Sequence, residues 1–203
     1  AKAIPFLKNA VMNAESGLGR AHALWTLEGM GKSDAGLVAH AIADKHMDVR
    51  LAALRVAGEH LLENQDSDTL LNAIATPLPD DDLDIAAQRL LTLSCYHKQT
   101  KTPTVRNGQV ERALQAAGPF IDKDLIAKAF MVALNPAEYI AALEIMSKDP
   151  RFQQKNHSLP QHLGFASFAL ADQESLRTLI DFTAQSKPDF RDAVLEGFRL
   201  GSK

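Results

Sequence analysis

The string Asp48-Val49-Arg50-Leu51-Ala52-Ala53-Leu54 returns, with drift, at three other places in the chain. Near the far end it is Asp189-Phe190-Arg191-Asp192-Ala193-Val194-Leu195. Earlier stands Gly19-Arg20-Ala21-His22-Ala23-Leu24, and between them Asp84-Ile85-Ala86-Ala87-Gln88-Arg89-Leu90. Each copy leads into an apolar run of helical period, so the recurring unit is a helix opening. A unit this small cannot bury its apolar face alone and is stable only against its neighbours. The pattern therefore predicts stacked antiparallel helix pairs in a single all-α domain spanning residues 1–203. It says little about chemistry.

Composition agrees with that class. Apolar residues make up 46% of the 203, but aromatic residues only 6%. Ala and Leu dominate, which favours close helix–helix packing over a β-sandwich rich in Val, Ile, Tyr and Thr. The net charge is −3, and no basic stripe stands ready to displace counterions from a nucleic acid. The nearest is Lys98-Gln99-Thr100-Lys101 through Arg106, which reads as a solvated loop. The single cysteine, Cys95, excludes an internal disulfide framework and a cysteine-based zinc site. No apolar run approaches the ~18 residues that span a bilayer, so no membrane span is expected. A start at Ala1 and a first helix that opens mid-repeat predict a fragment of a larger multidomain protein.

Helices are expected over Ile4–Ala14, Arg20–Met30, the run through Leu37 to Ile42, and Val49–Leu62. Ser33-Asp34 starts the third of these as partner of the second, and Asp48 is read as the N-cap of the fourth. Its partner carries Leu70, Leu71 and Ile74, is capped by Ser67 or Asp68, and is stopped by Pro77 and Pro79. Asp80-Asp81-Asp82 precedes Leu83–Tyr96 and suits the positive end of that helix. It lacks the alternating oxygens, the glycine and the distal glutamate of a calcium loop. After a polar stretch from Lys98 to Gly108 come Gln109–Ala117, Lys123–Leu134 and Pro136–Ser147. The last opens with Asn135, Pro136 and Glu138, the order of a capping box. A break from Asp149 to Pro160 precedes Gln161–Leu170, Gln173–Gln185 and Asp189–Leu200. Trp25 is placed inward with Ala21, Leu24 and Leu27.

The repeated element resembles HEAT repeats. That resemblance implies an α-solenoid, an α–α superhelix of stacked pairs, in which the arginine of each opening reaches an acid of the neighbouring repeat. Carried onto this chain, the ladder comprises Arg20, Asp48 with Arg50, and Asp189 with Arg191. At the third copy Ala86 stands in the arginine's place. The spacing of 30 residues from Leu24 to Leu54 and 36 from Leu54 to Leu90 is short for units of ~40–47 residues, so the units are compact. Residues 108–185 match the element poorly.

A narrower resemblance rests on Arg20-Ala21-His22-Ala23-Leu24-Trp25-Thr26-Leu27-Glu28-Gly29-Met30-Gly31, on Asp48-Val49-Arg50 and on Phe190-Arg191-Asp192-Ala193-Val194-Leu195. These are similar to the HEAT segments of exported, planctomycete-type bacterial proteins. There a sorbosone- or glucose-dehydrogenase-like propeller precedes the helices and a cytochrome c domain follows. The resemblance implies a periplasmic or extracellular parent that is an oxidoreductase, with this segment as spacer or docking part. The haem-attachment pattern needs two cysteines beside a histidine, and Cys95-Tyr96-His97 has one.

No reaction chemistry is legible in the residues. The seven histidines are His22, His40, His46, His60, His97, His157 and His162, and no two stand four apart as zinc ligands on one helix face. Cys95 among Leu90, Leu91 and Leu93 reads as a buried, inert thiol. Glu59, Glu63 and Asp66 read as a solvated face rather than an acid–base pair. Hence no catalytic, metal or cofactor-binding residue is proposed, and the expected role is a scaffold that grips a protein partner or a neighbouring domain. The competing reading is a repeat-frame enzyme, such as a DNA glycosylase or a bilin lyase; the glycosylase would need a basic groove with aromatics.

Overall fold

Apolar spacing and turn chemistry divide the chain into twelve α-helices, seen in a computed structural model that describes residues 2–63, 67–97, 108–152, 158–170 and 172–201. They are α1 (Ala3–Asn13), α2 (Gly17–Gly29), α3 (Ala35–Ile42), α4 (Met47–Leu62), α5 (Ser67–Ala75) and α6 (Leu83–His97). Then follow α7 (Gln109–Ala117), α8 (Asp124–Ala133), α9 (Tyr139–Lys148), α10 (Ser158–Leu170), α11 (Gln173–Gln185) and α12 (Pro188–Gly201). No strand occurs among the described residues. The protein is all-α, as its composition predicts. The polar stretch at residues 98–107 lies outside the described residues, as do Asp66 and His157.

Short polar side chains set the helix starts. Asp34 accepts from the Leu37 amide at 2.9 Å, Asp82 from Ile85 at 2.9 Å and Asp172 from Ser175 at 2.8 Å. Each satisfies one amide that the helix itself leaves unpaired. The capping box at Asn135 is present, with Glu138 accepting from the Asn135 amide at 3.0 Å. It opens a 3-10 turn at Pro136–Glu138 that runs into α9. Two starts differ from the sequence reading in a way that matters. The cap position of α4 is His46, not Asp48, which lies inside the first turn and can act there only through its charge. Helix α10 begins at Ser158 rather than Gln161. Pro160 falls in its first turn, where a missing N–H costs no hydrogen bond.

The helices form two rows. In one, α2, α4, α6, α8, α10 and α12 each pack on the next. In the other, α1, α3, α5 and α7 pack in succession, and α9 packs on α11. Across the rows α1 lies along α2, α3 along α4 and α9 along α10. This corrects the expected partners. The α2 and α3 helices barely touch, because the short turns at residues 14–16 and 43–46 fold α1 onto α2 and α3 onto α4. Between the rows runs one continuous core, with Leu24, Leu27, Leu54, Leu70, Leu90, Phe130, Leu143 and Leu163 fully buried. Polar threads cross it. Thr92 donates to the Leu54 carbonyl at 3.0 Å, and Gln109 to that of Ala133 at 3.2 Å.

Trp25 is not in that core. It is 43% exposed, on the stripe of Leu18 and His22. Neighbouring residues on a helix point ~100° apart, so the turn that aims Leu24 inward aims Trp25 out. Gly29 closes the same helix with open space where a side chain would lie. Gly29→Ala should stabilise the protein by about 0.4–1 kcal/mol, since alanine restricts the unfolded chain at no steric cost. A denaturation midpoint that falls on this substitution would contradict the open-space reading.

Candidate functional site

The most organised polar feature runs along the turns that join the two rows. Arg20 is the fourth residue of α2 and almost wholly buried. Its Nε and Nη2 donate to the two carboxylate oxygens of Asp44 at 2.7 and 2.8 Å. Its Nη1 donates to the Ala14 carbonyl and, at 3.1 Å, to that of Glu15. One side chain thus closes the end of α1 and ties the α1–α2 turn to the α3–α4 turn. The bidentate fit of guanidinium to carboxylate makes this a strong class of contact.

Arg50 repeats the arrangement as the fourth residue of α4. It donates to the Asp44 carbonyl at 2.9 Å, six residues back, as Arg20 does to Ala14. Forward, it reaches Asp80 at 3.2 Å and lies 3.1 Å from Asp81 in the α5–α6 turn. Arg89 then meets Asp81 from the other side, at 2.9 Å. It donates to the Ala73 and Ile74 carbonyls at 3.0 and 2.9 Å, closing the end of α5. Arg50 and Arg89 are fully buried, and Asp81 nearly so. Asp81 is the carboxylate they share.

The electrostatics follow burial. Burial works against the Asp44 carboxylate, but the Arg20 guanidinium and the His46 amide outweigh it and hold its pKa below the ordinary value. Arg20 is raised in turn by its hydrogen bond to Asp44. Burial pulls Arg89 down, with Asp81 opposing it. A carboxylate with a depressed folded pKa contributes stability above its unfolded value, ~3.9 for Asp, and loses it as pH falls through the folded value. Stability should therefore decline below about pH 4. Asp44→Asn should be less stable at neutral pH and show a shallower decline on acidification. Parallel acid-unfolding curves for the two proteins would refute the assignment.

Of the residues singled out in the sequence, Arg20 and Arg50 lie in this ladder. Asp48 is exposed in the first turn of α4, and Asp189 is half-buried in the first turn of α12; neither joins it. Arg191 lies 3.5 Å from its neighbour Asp192, both partly open to solvent. The acids that do take part, Asp44, Asp80 and Asp81, and the third arginine, Arg89, had no part in the sequence reading of the ladder. Their signal is an acid in the turn before a helix, six to nine residues before the arginine that closes that turn.

His60 is buried, with Nε2 at 2.8 Å from the Ser33 hydroxyl and 3.1 Å from Glu28. The Ser33 hydroxyl also bonds Glu28. The serine has one hydrogen, and giving it to Glu28 leaves Nε2–H as donor to both oxygens. That is the wrong arrangement for a base activating a hydroxyl, where the carboxylate must orient the opposite ring nitrogen. It is a polar clasp between the end of α2 and α4. Cys95 is half-buried rather than enclosed. No group of three potential metal ligands occurs among the described residues. Trp25, His22, Leu51 and Arg55 line a shallow groove of about 250 Å³ between α2 and α4.

Comparison of the chain with family models, with curated proteins and with solved structures finds no match.

Proposed function

We propose that this chain is a HEAT-like α-solenoid that works as a non-catalytic scaffold, holding a protein partner or neighbouring domains of its own polypeptide. The observation that carries this reading is the rung repeated from turn to turn. An arginine at the fourth position of α2 and again of α4 closes the turn behind it and grips a carboxylate in the turn ahead. Such rungs fix the spacing of successive helix pairs, which is what a frame needs. The rows of helices supply long side faces, and Trp25 stands out on one of them.

By resemblance, the larger setting is an exported dehydrogenase-like protein with a propeller before the helices and a cytochrome c domain after them, in the periplasm or outside the cell. The segment is then a spacer and docking part. The native polypeptide that contains it should have an intact mass far above 22.1 kDa and a haem absorption band. A mass near that figure without a chromophore would remove the redox setting. Small-angle scattering tests the solenoid itself. A compact domain of this length has a radius of gyration of about 17 Å, and a stacked array should exceed it. A measured turnover abolished by one point substitution would defeat the scaffold reading.

A further inference from the structure

The inner helices of the α2–α12 row have one open face, since row neighbours flank them and the other row lies behind. On that face the same three places recur in α2, α4, α6 and α8. They are the second residue, the fifth or sixth, and the ninth, the spacing of neighbours on one side of a helix. The second places carry Leu18, Asp48, Asp84 and Leu125, and the ninth carry Trp25, Arg55, Leu91 and Val132, all exposed. Between them lie Ala21, Ala52, Ala87 and Ala129, nearly buried. The face is therefore two ridges over a floor of methyl groups. Between α2 and α4 it forms the groove of about 250 Å³ that Leu18, Trp25, Asp48 and Arg55 share. Helix α6 continues it in register: Thr92, tenth in α6, donates to the carbonyl of Leu54, eighth in α4.

This is not the ordinary scatter of apolar residues over a surface. Leu18, Trp25, Leu91, Leu125 and Val132 are 43–66% exposed, while α3, α5, α7 and α9 of the other row expose no large apolar side chain among the described residues. The charges define what can cover the face. No ion pair joins Asp48, Asp84 or Arg55 to another described residue. Asp124 is held by Lys128 at 2.6 Å, and Glu59 stands one turn beyond Arg55. The face is net negative, which repels nucleic acid and anionic lipid and favours a basic protein segment. Its width defines the shape. Seven residues of helix set the ridges about 10.5 Å apart, and an α-helix with its side chains is about 10–12 Å across. An extended chain would meet one ridge only. Three interhelix spacings of about 8–10 Å give a length that about 16–20 helical residues would cover.

We propose that this face binds an amphipathic helix of a partner protein, laid across α2 to α8. Its apolar side rests on the alanine floor and against Trp25, Leu91 and Val132. Basic residues on one flank take Asp48 and Asp84, and a carboxylate on the other takes Arg55. The proposal rests on the scaffold reading and supplies its surface and the chemistry of its partner.

Trp25 is the only tryptophan, so its emission reports on the face directly. The probe is a synthetic, tryptophan-free helix of about 18 residues, with leucines along one side, lysines on one flank and a glutamate on the other. Titrated into the full chain, it should shift Trp25 emission to the blue and saturate as a single site. Asp48→Arg with Asp84→Arg should weaken binding by about tenfold or more, and so should Leu91→Asp. Glu111→Arg with Asp181→Arg makes the same change of net charge on α7 and α11 and should leave binding as it was. A peptide with glutamates in place of the lysines should not bind. Circular dichroism verifies that each variant keeps its helices. A native chain whose emission the probe leaves unchanged overturns the proposal. So does equal weakening by the two charge-reversed pairs, binding that survives Leu91→Asp, or binding of the glutamate peptide. These outcomes bear on the face alone; the scaffold reading falls only to a turnover that one point substitution abolishes.

Discussion

Asp81→Ala should cost about 3–5 kcal/mol of folding stability, the usual effect of removing one partner from a buried ion pair. Two arginines depend on this carboxylate. Arg89 has Nε at 2.9 Å from it, and Arg50 has Nε at 3.1 Å. Both guanidiniums are fully buried, so the deletion strands positive charge where water cannot reach it. Arg50 keeps Asp80, whose side chain is 64% exposed and so weakly placed to compensate. Among the described residues, Arg89 keeps only the carbonyls at the end of α5. Since a domain of this kind is stable by only about 5–15 kcal/mol in total, the variant should melt far earlier than the parent. Arg89→Met should cost less, because it leaves Asp81 paired with Arg50 and fills the space with an apolar chain. Urea titrations of all three proteins decide the matter. Equal midpoints for Asp81→Ala and the parent, or a larger loss for Arg89→Met than for Asp81→Ala, would show that the shared carboxylate is not the keystone of the ladder.

Asp81 also shows where sequence reading stops. The run Asp80-Asp81-Asp82 is legible as negative charge before a helix, and Asp82 does cap α6. That the middle acid turns inward to serve two arginines is a three-dimensional fact, set by the turn that brings Leu78 N–H onto Asp81 at 2.9 Å. The arginines divide in the same way. Arg20 and Arg50 share a register with the repeated element and could be picked out. Arg89 sits one helical turn later, behind Ala86, and still reaches the preceding turn because its side chain is long enough to span the difference. All-α class and most helix bounds follow from apolar period and caps, which are local. The choice of partners was not local: the turns at residues 14–16 and 43–46 decide it, and nothing in the helices themselves separates the two phases. Trp25 faces outward although it adjoins the buried Leu24, and bulk alone does not say which of two neighbours points inward.

Gly197→Ala should destabilise the protein by about 1–3 kcal/mol or more, although alanine is the better helix former by about 1 kcal/mol. The reason is the approach of α12 to α10. A Cβ at Gly197 would lie 2.3 Å from the Gln161 carbonyl oxygen and 2.7 Å from the Phe165 nitrogen. Both are backbone atoms of a helix and cannot swing aside as a side-chain tip could. Gly164 presses from the other side, where a Cβ would stand 2.7 Å from the Val194 carbonyl oxygen. The two helices therefore touch backbone to backbone, through one glycine each, and any added carbon must push them apart. Separation would loosen Leu163 and Val194, both fully buried, and open the contact between Phe168 and Phe198, whose ring centres are 5.3 Å apart. The effect should be confined to the last helices, because α12 packs chiefly on α10 and α11. Hydrogen exchange can read this directly: amides of α10 and α12 should exchange faster in Gly197→Ala while those of α2 and α4 keep their protection. Uniform acceleration along the chain would mean the protein unfolds as one cooperative block, and unchanged exchange in α12 would mean the close approach does not exist in solution.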